Sequence, residues 1–175
     1  MKKCLIVVDY QKDFVDGSLG FEASVKLDEN IAAKIKQYHA ENADVIFTLD
    51  THESNYMDTQ EGKNLPIPHC IRGTDGWTLY GKTAEEKLPS DIVIEKPTFP
   101  SYEVGALLRE KAYDAIELVG VVTDICVLSN AIIAKAALPE AKISVDASCT
   151  ATMSEEMKQK TFDVMGSLQI SVTNR

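Results

Sequence analysis

The stretch Glu117-Leu-Val-Gly-Val-Val-Thr-Asp-Ile-Cys-Val-Leu-Ser-Asn-Ala131 decides the fold. Leu118, Val119, Val121 and Val122 form a short apolar run with no polar alternation, the pattern of a strand covered on both faces, and such strands belong to parallel sheets. Thr123 or Asp124 then suits a helix cap, because either side chain can accept a hydrogen bond from the free amides of a first turn. Cys126 is thereby placed near a helix N-terminus, where unpaired N–H groups and the positive dipole end favour a thiolate. A buried structural cysteine acting as a small hydrophobe is the plainer reading of the same position. Other residues must decide between the two.

Working outward, the same strand-and-turn grammar recurs. A first strand from Lys3 ends at Asp9, and after a loop with Gly17, Ser18 and Gly20, Asp28 opens a helix with Ile31, Ala32, Ile35 and Tyr38 on one face. A second strand from Ala43 ends at Asp50. The stretch 51–90 has no periodicity and is punctuated by Pro66, Pro68, Gly73, Gly76 and Gly81; a loop this long in a compact domain is usually functional. A third strand from Asp91 to Glu95 precedes Lys96-Pro97, and Ser101 caps a helix with Val104, Leu107 and Leu108 inward. The helix after Cys126 ends at Pro139. A fifth strand from Lys142 to Asp146, a helix capped by Ser154 and running to about Met165, and a sixth strand from Leu168 to Val172 complete the chain.

Alternating strands and helices predict an α/β three-layer sandwich: a mostly parallel six-stranded sheet with helices on both faces. At 175 residues the chain suits a single domain, residues 1–175, able to bury about 70% of its unfolded surface. The net charge of −9 comes without a Lys/Arg cluster, which argues against nucleic-acid or anionic-membrane partners. Met1-Lys2-Lys3 precedes only five apolar residues before Asp9, too few for a signal segment or a membrane span, so a cytoplasmic location is expected. Cys4, Cys70, Cys126 and Cys149 show no CxxC spacing, so neither a zinc ribbon nor disulfides are expected; Cys4, Cys70 and Cys149 read as packed positions.

In a parallel sheet, ligands bind outside the carboxyl ends of the strands. Asp9, Asp50, Lys96 and Cys126 all fall at or just beyond those ends. A thiol, a carboxylate and an ammonium on one rim suit nucleophilic attack on an acyl carbon, with Lys96 holding the thiolate and Asp9 moving the proton. Asp9 and Lys96 as a plain ion pair at a sheet edge is the competing reading. Of the histidines, His39 lies on the first helix and takes no role. Asp50, His52 and His69 could hold Zn²⁺, Fe²⁺ or Mn²⁺, although two loop histidines bonded to backbone explain the same spacing.

Three blocks then become recognisable. Val8-Asp9-Tyr-Gln-Lys-Asp-Phe14, Glu95-Lys96-Pro97-Thr98-Phe99 and Gly120-Val-Val-Thr-Asp-Ile-Cys126-Val resemble the isochorismatase-like cysteine hydrolases in order and over nearly the whole chain. The resemblance implies a catalytic triad of Asp9, Lys96 and Cys126. It also implies a non-proline cis peptide at Val121-Val122 and an oxyanion hole formed by the N–H groups of Val122 and Cys126.

Asp50-Thr-His52 with Pro68-His69-Cys-Ile-Arg-Gly-Thr74 is similar to the metal-binding portion of the nicotinamidase branch. That likeness makes Asp50, His52 and His69 ligands of one divalent transition metal, with Glu61 offered as a fourth and Asp58 behind it, and no organic cofactor. Phe14 matches one aromatic wall of the substrate site. Where the branch carries a second, this chain has Pro66, which leaves Trp77, Phe99 or Tyr102 to replace it.

The implied reaction is nicotinamide and water to nicotinate and ammonia through a Cys126 thioester, in NAD salvage. Two rivals stand beside it: the same cysteine hydrolase acting on another small amide or ureido compound, and a non-catalytic module that only binds a ligand. Apolar helix faces and long loops permit a homo-oligomer.

Overall fold

A computed structural model describes residues 1–175. Six strands, β1 (Lys3–Val8), β2 (Asp44–Asp50), β3 (Ile92–Lys96), β4 (Ala115–Val121), β5 (Lys142–Ala151) and β6 (Ser171–Thr173), form one sheet in the order β3-β2-β1-β4-β5-β6. Every neighbouring pair is parallel. Four long helices cover it: α1 (Asp28–Ala40), α2 (Tyr102–Lys111), α3 (Leu128–Ala137) and α4 (Glu155–Ser167).

Strand alternation sorts the core into two layers. Cys4, Ile6 and Val8 of β1 face α2, α3 and α4, packing with Val104, Leu108, Ala131, Ala134, Phe162 and Met165. Leu5 and Val7 face the other way, onto Ile31, Ile35 and Tyr38 of α1. A fully buried aliphatic side chain of this kind contributes roughly 1.5–3 kcal/mol, so β1, with both faces covered, is the centre of the molecule. Cys4 and Cys149 lie in these cores, and Cys70 is buried as well.

Between β1 and β4 the chain changes direction across the sheet, and this switch point is where an open α/β sheet leaves a crevice. Two backbone features shape it. Asp9 turns out of the sheet with φ +48°, and Gly120 has φ +110° directly opposite Val8 in the β1–β4 register. A Cβ at Gly120 would collide with the Val8 carbonyl, so only glycine lets the two strands approach here.

Four expectations are corrected. Neither Thr123 nor Asp124 caps a helix: Val122 precedes a π-helical turn, Thr123–Val127, and the Thr123 hydroxyl pairs with that of Thr150 at 2.8 Å. β5 runs on to Ala151 because its later residues still pair with Gly120 and Val121 across a register shift. β6 is shorter than its apolar pattern suggests, its first residues being spent on the turn that closes α4. The stretch 51–90 is a chain of short helical turns, Tyr56–Asp58, Gln60–Asn64, Asp75–Trp77 and Gly81–Glu85, too brief to show a period. Ser101 and Ser154 do cap α2 and α4, accepting from the N–H groups of Val104 and Met157.

Candidate active site

The carboxyl ends of β1, β3 and β4 bring Asp9, Lys96 and Cys126 together. Lys96, the last residue of β3, is fully buried, with Nζ 2.6 Å from Asp9 Oδ2 and 3.8 Å from Cys126 Sγ. The Thr98 carbonyl at 3.0 Å and Asp50 Oδ1 at 3.4 Å complete the acceptors around its three N–H groups. Burial alone would lower the lysine pKa, but Asp9, Cys126 and Asp50 outweigh it and the ammonium is held charged. Asp9 is fixed from β2: the Thr48 hydroxyl donates to Oδ1 at 2.6 Å, which leaves Oδ2 to face Lys96.

Burial pushes the Cys126 thiol well above its usual range, and the nearby Lys96 only partly offsets this. Burial thus works against the thiolate expected from a helix N-terminus. Desolvation of the buried sulfur exceeds the pull of a single ammonium that Asp9 already partners. Asp9 is itself raised, first by burial, with Lys96 acting against it, which makes it a competent proton acceptor.

Asp50 joins this cluster to a second one. Its Oδ2 lies 3.0 Å from His52 Nε2 and 3.4 Å from His69 Nε2, while Glu61 Oε1 is 3.5 Å and 3.6 Å from the same two nitrogens. One ligand atom from each of the four residues lies within 4.8 Å of every other. Ligands about 2.0–2.1 Å from a tetrahedral ion stand about 3.3 Å apart, so the spacing fits a small divalent cation.

Two further observations support the fit. His52 Nε2 is buried without a hydrogen bond, and His69 Nδ1 is 2.8 Å from the Ile67 carbonyl, which directs the Nε2 lone pair inward. Burial pushes His52 down, but Asp50 and Glu61 more than reverse this and raise it to about 9. Asp58 stays outside, on an exposed turn, and His39 pairs with Asp91 at 2.9 Å.

A cavity of about 230 Å³ opens onto both clusters. Asp50, Glu61, His69 and Cys126 line it together with the apolar Phe14, Leu19, Leu65, Phe99, Val122, Ile125 and Met153. The Val121-Val122 peptide is cis. Of the aromatic residues suggested by sequence, Phe14 and Phe99 line the cavity. Trp77 does not, because its indole N–H is drawn to the Thr51 hydroxyl at 2.8 Å, and Tyr102 is 87% exposed on the outer start of α2. Pro66 does not line the cavity, but its neighbour Leu65 does.

Sequence reasoning missed the residues that hold this geometry. Tyr56 is buried against both imidazoles, 4.7 Å from His52 and 5.1 Å from His69 by ring centroid, and its hydroxyl donates to the Leu65 carbonyl at 2.8 Å. Asn130, fully buried in α3, donates to the carbonyls of Cys126 at 2.8 Å and Phe99 at 2.9 Å. Thr48 and Asn130 were detectable as polar residues inside apolar runs. Leu19, Leu65 and Met153 carry no such mark.

Fold and site together describe a class: three-layer α/β proteins with a thiol centre at the switch point of a parallel sheet. The family model described as Isochorismatase domain matches residues 3–174, and the chain belongs to the isochorismatase family. The isochorismatase-family protein PncA of Bacillus subtilis is 34% identical over 143 residues, 75% of this chain and 78% of its own length. A nicotinamidase/pyrazinamidase of Mycobacterium tuberculosis is 27% identical, covering 93% of this chain and 98% of its own. Among solved structures, the pyrazinamidase/nicotinamidase of Streptococcus mutans superposes with a TM-score of 0.88 at 31% identity, covering 98% of this chain and 99% of its own. These relatives place the chain beside the nicotinamidase branch.

Proposed function

We propose that this chain, a hydrolase acting on a non-peptide amide, is a nicotinamidase that turns nicotinamide and water into nicotinate and ammonia, as a cytoplasmic step of NAD salvage. Residues 1–175 act as one domain in this reading. The observation that carries it is the buried contact of Lys96 with both Asp9 and Cys126 at the floor of the cavity.

Asp9 takes the thiol proton, and Lys96 stabilises the sulfur anion as it attacks the carboxamide carbon. The N–H groups of Val122 and Cys126 receive the developing oxyanion. Asp9 returns the proton to the departing nitrogen, ammonia leaves, and a thioester remains on Cys126. Asp9 then deprotonates a water, whose attack frees the acid and restores the thiol. Asp50, His52, His69 and Glu61 would hold a divalent transition metal, which when bound would supply Lewis acidity to orient the pyridine ring and draw charge from it.

The test is ammonia release from nicotinamide by the wild-type protein, with Cys126→Ala and Lys96→Ala each slowed at least about 10³-fold. Undiminished turnover in Cys126→Ala would refute the reading. One observation favours a second: Leu65, Leu19 and Met153 give an aliphatic wall where the branch has an aromatic one. A panel of small amides and ureido compounds scored for ammonia decides, and an inert nicotinamide beside an active alternative selects the second.

A further inference from the structure

Three candidates outside the catalytic groups stand out: the open cleft between Met1 and the start of β5, the ion network of Lys34, Glu117 and Asp146, and Gln11. The charged residues lining the cleft, Asp114, Glu140 and Lys142, are all exposed to solvent, and the ions of the network satisfy one another. Gln11 is different, because two of its three hydrogen bonds go to Asp50, a residue that faces both halves of the site.

β1 pairs with β2 from Cys4↔Asp44 to Val8↔Thr48 and then leaves the sheet at Asp9, so the ladder stops two residues short of Asp50. The Asp50 N–H and C=O on that side would be orphaned in a buried place, which is costly. The side chain of Gln11, fully buried, replaces the missing strand. Its Oε1 accepts from the Asp50 N–H at 2.8 Å, and its Nε2 donates to the Asp50 carbonyl at 2.9 Å and to the Trp77 carbonyl at 2.8 Å. A carboxamide has the donor and acceptor of a peptide unit, so the side chain pairs as backbone would. On the other edge of Asp50, the Thr51 N–H bonds to the Lys96 carbonyl at 2.9 Å. The Asp50 backbone is thus gripped from both sides, and its carboxylate is aimed with Oδ1 toward Lys96 and Oδ2 toward His52 and His69.

We infer that Gln11 is a positioning residue that sets the direction of the Asp50 carboxylate, and through it the affinity of the four-residue cluster for a divalent cation. The inference rests on the metal centre of the proposed function. Losing an outer partner of a metal ligand typically weakens binding 10–100-fold, and the same range is expected here. Gln11→Met keeps the length and removes all three hydrogen bonds. Gln11→Glu keeps the shape and the acceptor but turns oxygen toward two carbonyls, and it serves if the methionine variant does not fold.

The experiment is calorimetric titration of chelator-stripped protein with Zn²⁺, using wild type, Gln11→Met, Gln11→Glu and Ser24→Ala. Ser24 is a control of the same kind, a fully buried donor whose hydroxyl reaches the Val15 and Phe21 carbonyls away from the site. Folded Gln11 variants should bind Zn²⁺ at least tenfold more weakly than wild type, with Ser24→Ala unchanged in affinity even where its melting temperature falls. Wild-type affinity in either folded Gln11 variant, or an equal loss in Ser24→Ala, overturns the inference while leaving the metal centre standing. No Zn²⁺ binding by wild type overturns the metal centre itself, and the inference with it.

Discussion

A lysine with no exposure keeps its charge only where anions surround it, and Lys96 has two carboxylates and a thiol within reach. Lys96→Met leaves the buried Asp9 carboxylate without its cation. Breaking one side of such a pair typically costs about 3–5 kcal/mol, so urea unfolding should report a loss of that size. Adding Asp9→Asn should restore part of it, since the stranded charge is then gone. A loss below 1 kcal/mol in the single variant would mean that Asp9 accepts a proton readily when alone. This pairing was readable from sequence, because both residues close apolar strand runs. The upward push on the Cys126 thiol was not: it comes from burial, which no local pattern encodes.

At the scale of elements, the strands were legible because a covered parallel strand advertises itself as an unbroken apolar run, and the helix starts at Ser101 and Ser154 because a capping hydroxyl has a fixed offset. The crossing of β1 and β4 was not, since it turns on which strand lies opposite Gly120. Gly120→Ala should destabilise by roughly 1–3 kcal/mol, read as a lower urea midpoint, because it adds positive-φ strain to a clash with the Val8 carbonyl.

β5 and α1 are joined differently. Asp146 Oδ2 lies 2.7 Å from Lys34 Nζ and accepts from Asn174 at 2.9 Å, while Oδ1 accepts from the Ser148 N–H and hydroxyl. Burial would raise Asp146, but these partners outweigh it and hold the carboxyl below its ordinary value. A depressed carboxyl stabilises the fold above its unfolded value of about 3.9 and stops doing so as pH falls through the lower folded value. Thermal melts should therefore show a drop below about pH 4 that is smaller in Asp146→Asn; identical acid slopes would remove Asp146 as its source.

Across the whole molecule, one rim carries two clusters that share Asp50 but use otherwise separate residues. The rim itself could be inferred from sequence, because strand ends in a parallel sheet must fall on one edge. The cavity walls could not, since the stretch 51–90 folds by turns whose side-chain directions follow from tertiary hydrogen bonds such as Trp77 to Thr51 and Tyr56 to Leu65. The division into clusters has a consequence for stability that is independent of turnover. A cation that binds only the folded protein adds about 2.7 kcal/mol at one hundred times its dissociation constant, which for a chain of this size raises the melting temperature by roughly 5–10 °C. Cys126→Ala, on the thiol side, should keep that rise in full, whereas His52→Ala together with His69→Ala should abolish it. Differential scanning calorimetry with and without added Zn²⁺ reads both. A shift lost in Cys126→Ala would show that the thiol, not the imidazoles, holds the ion, and the two halves of the rim would have to be assigned anew.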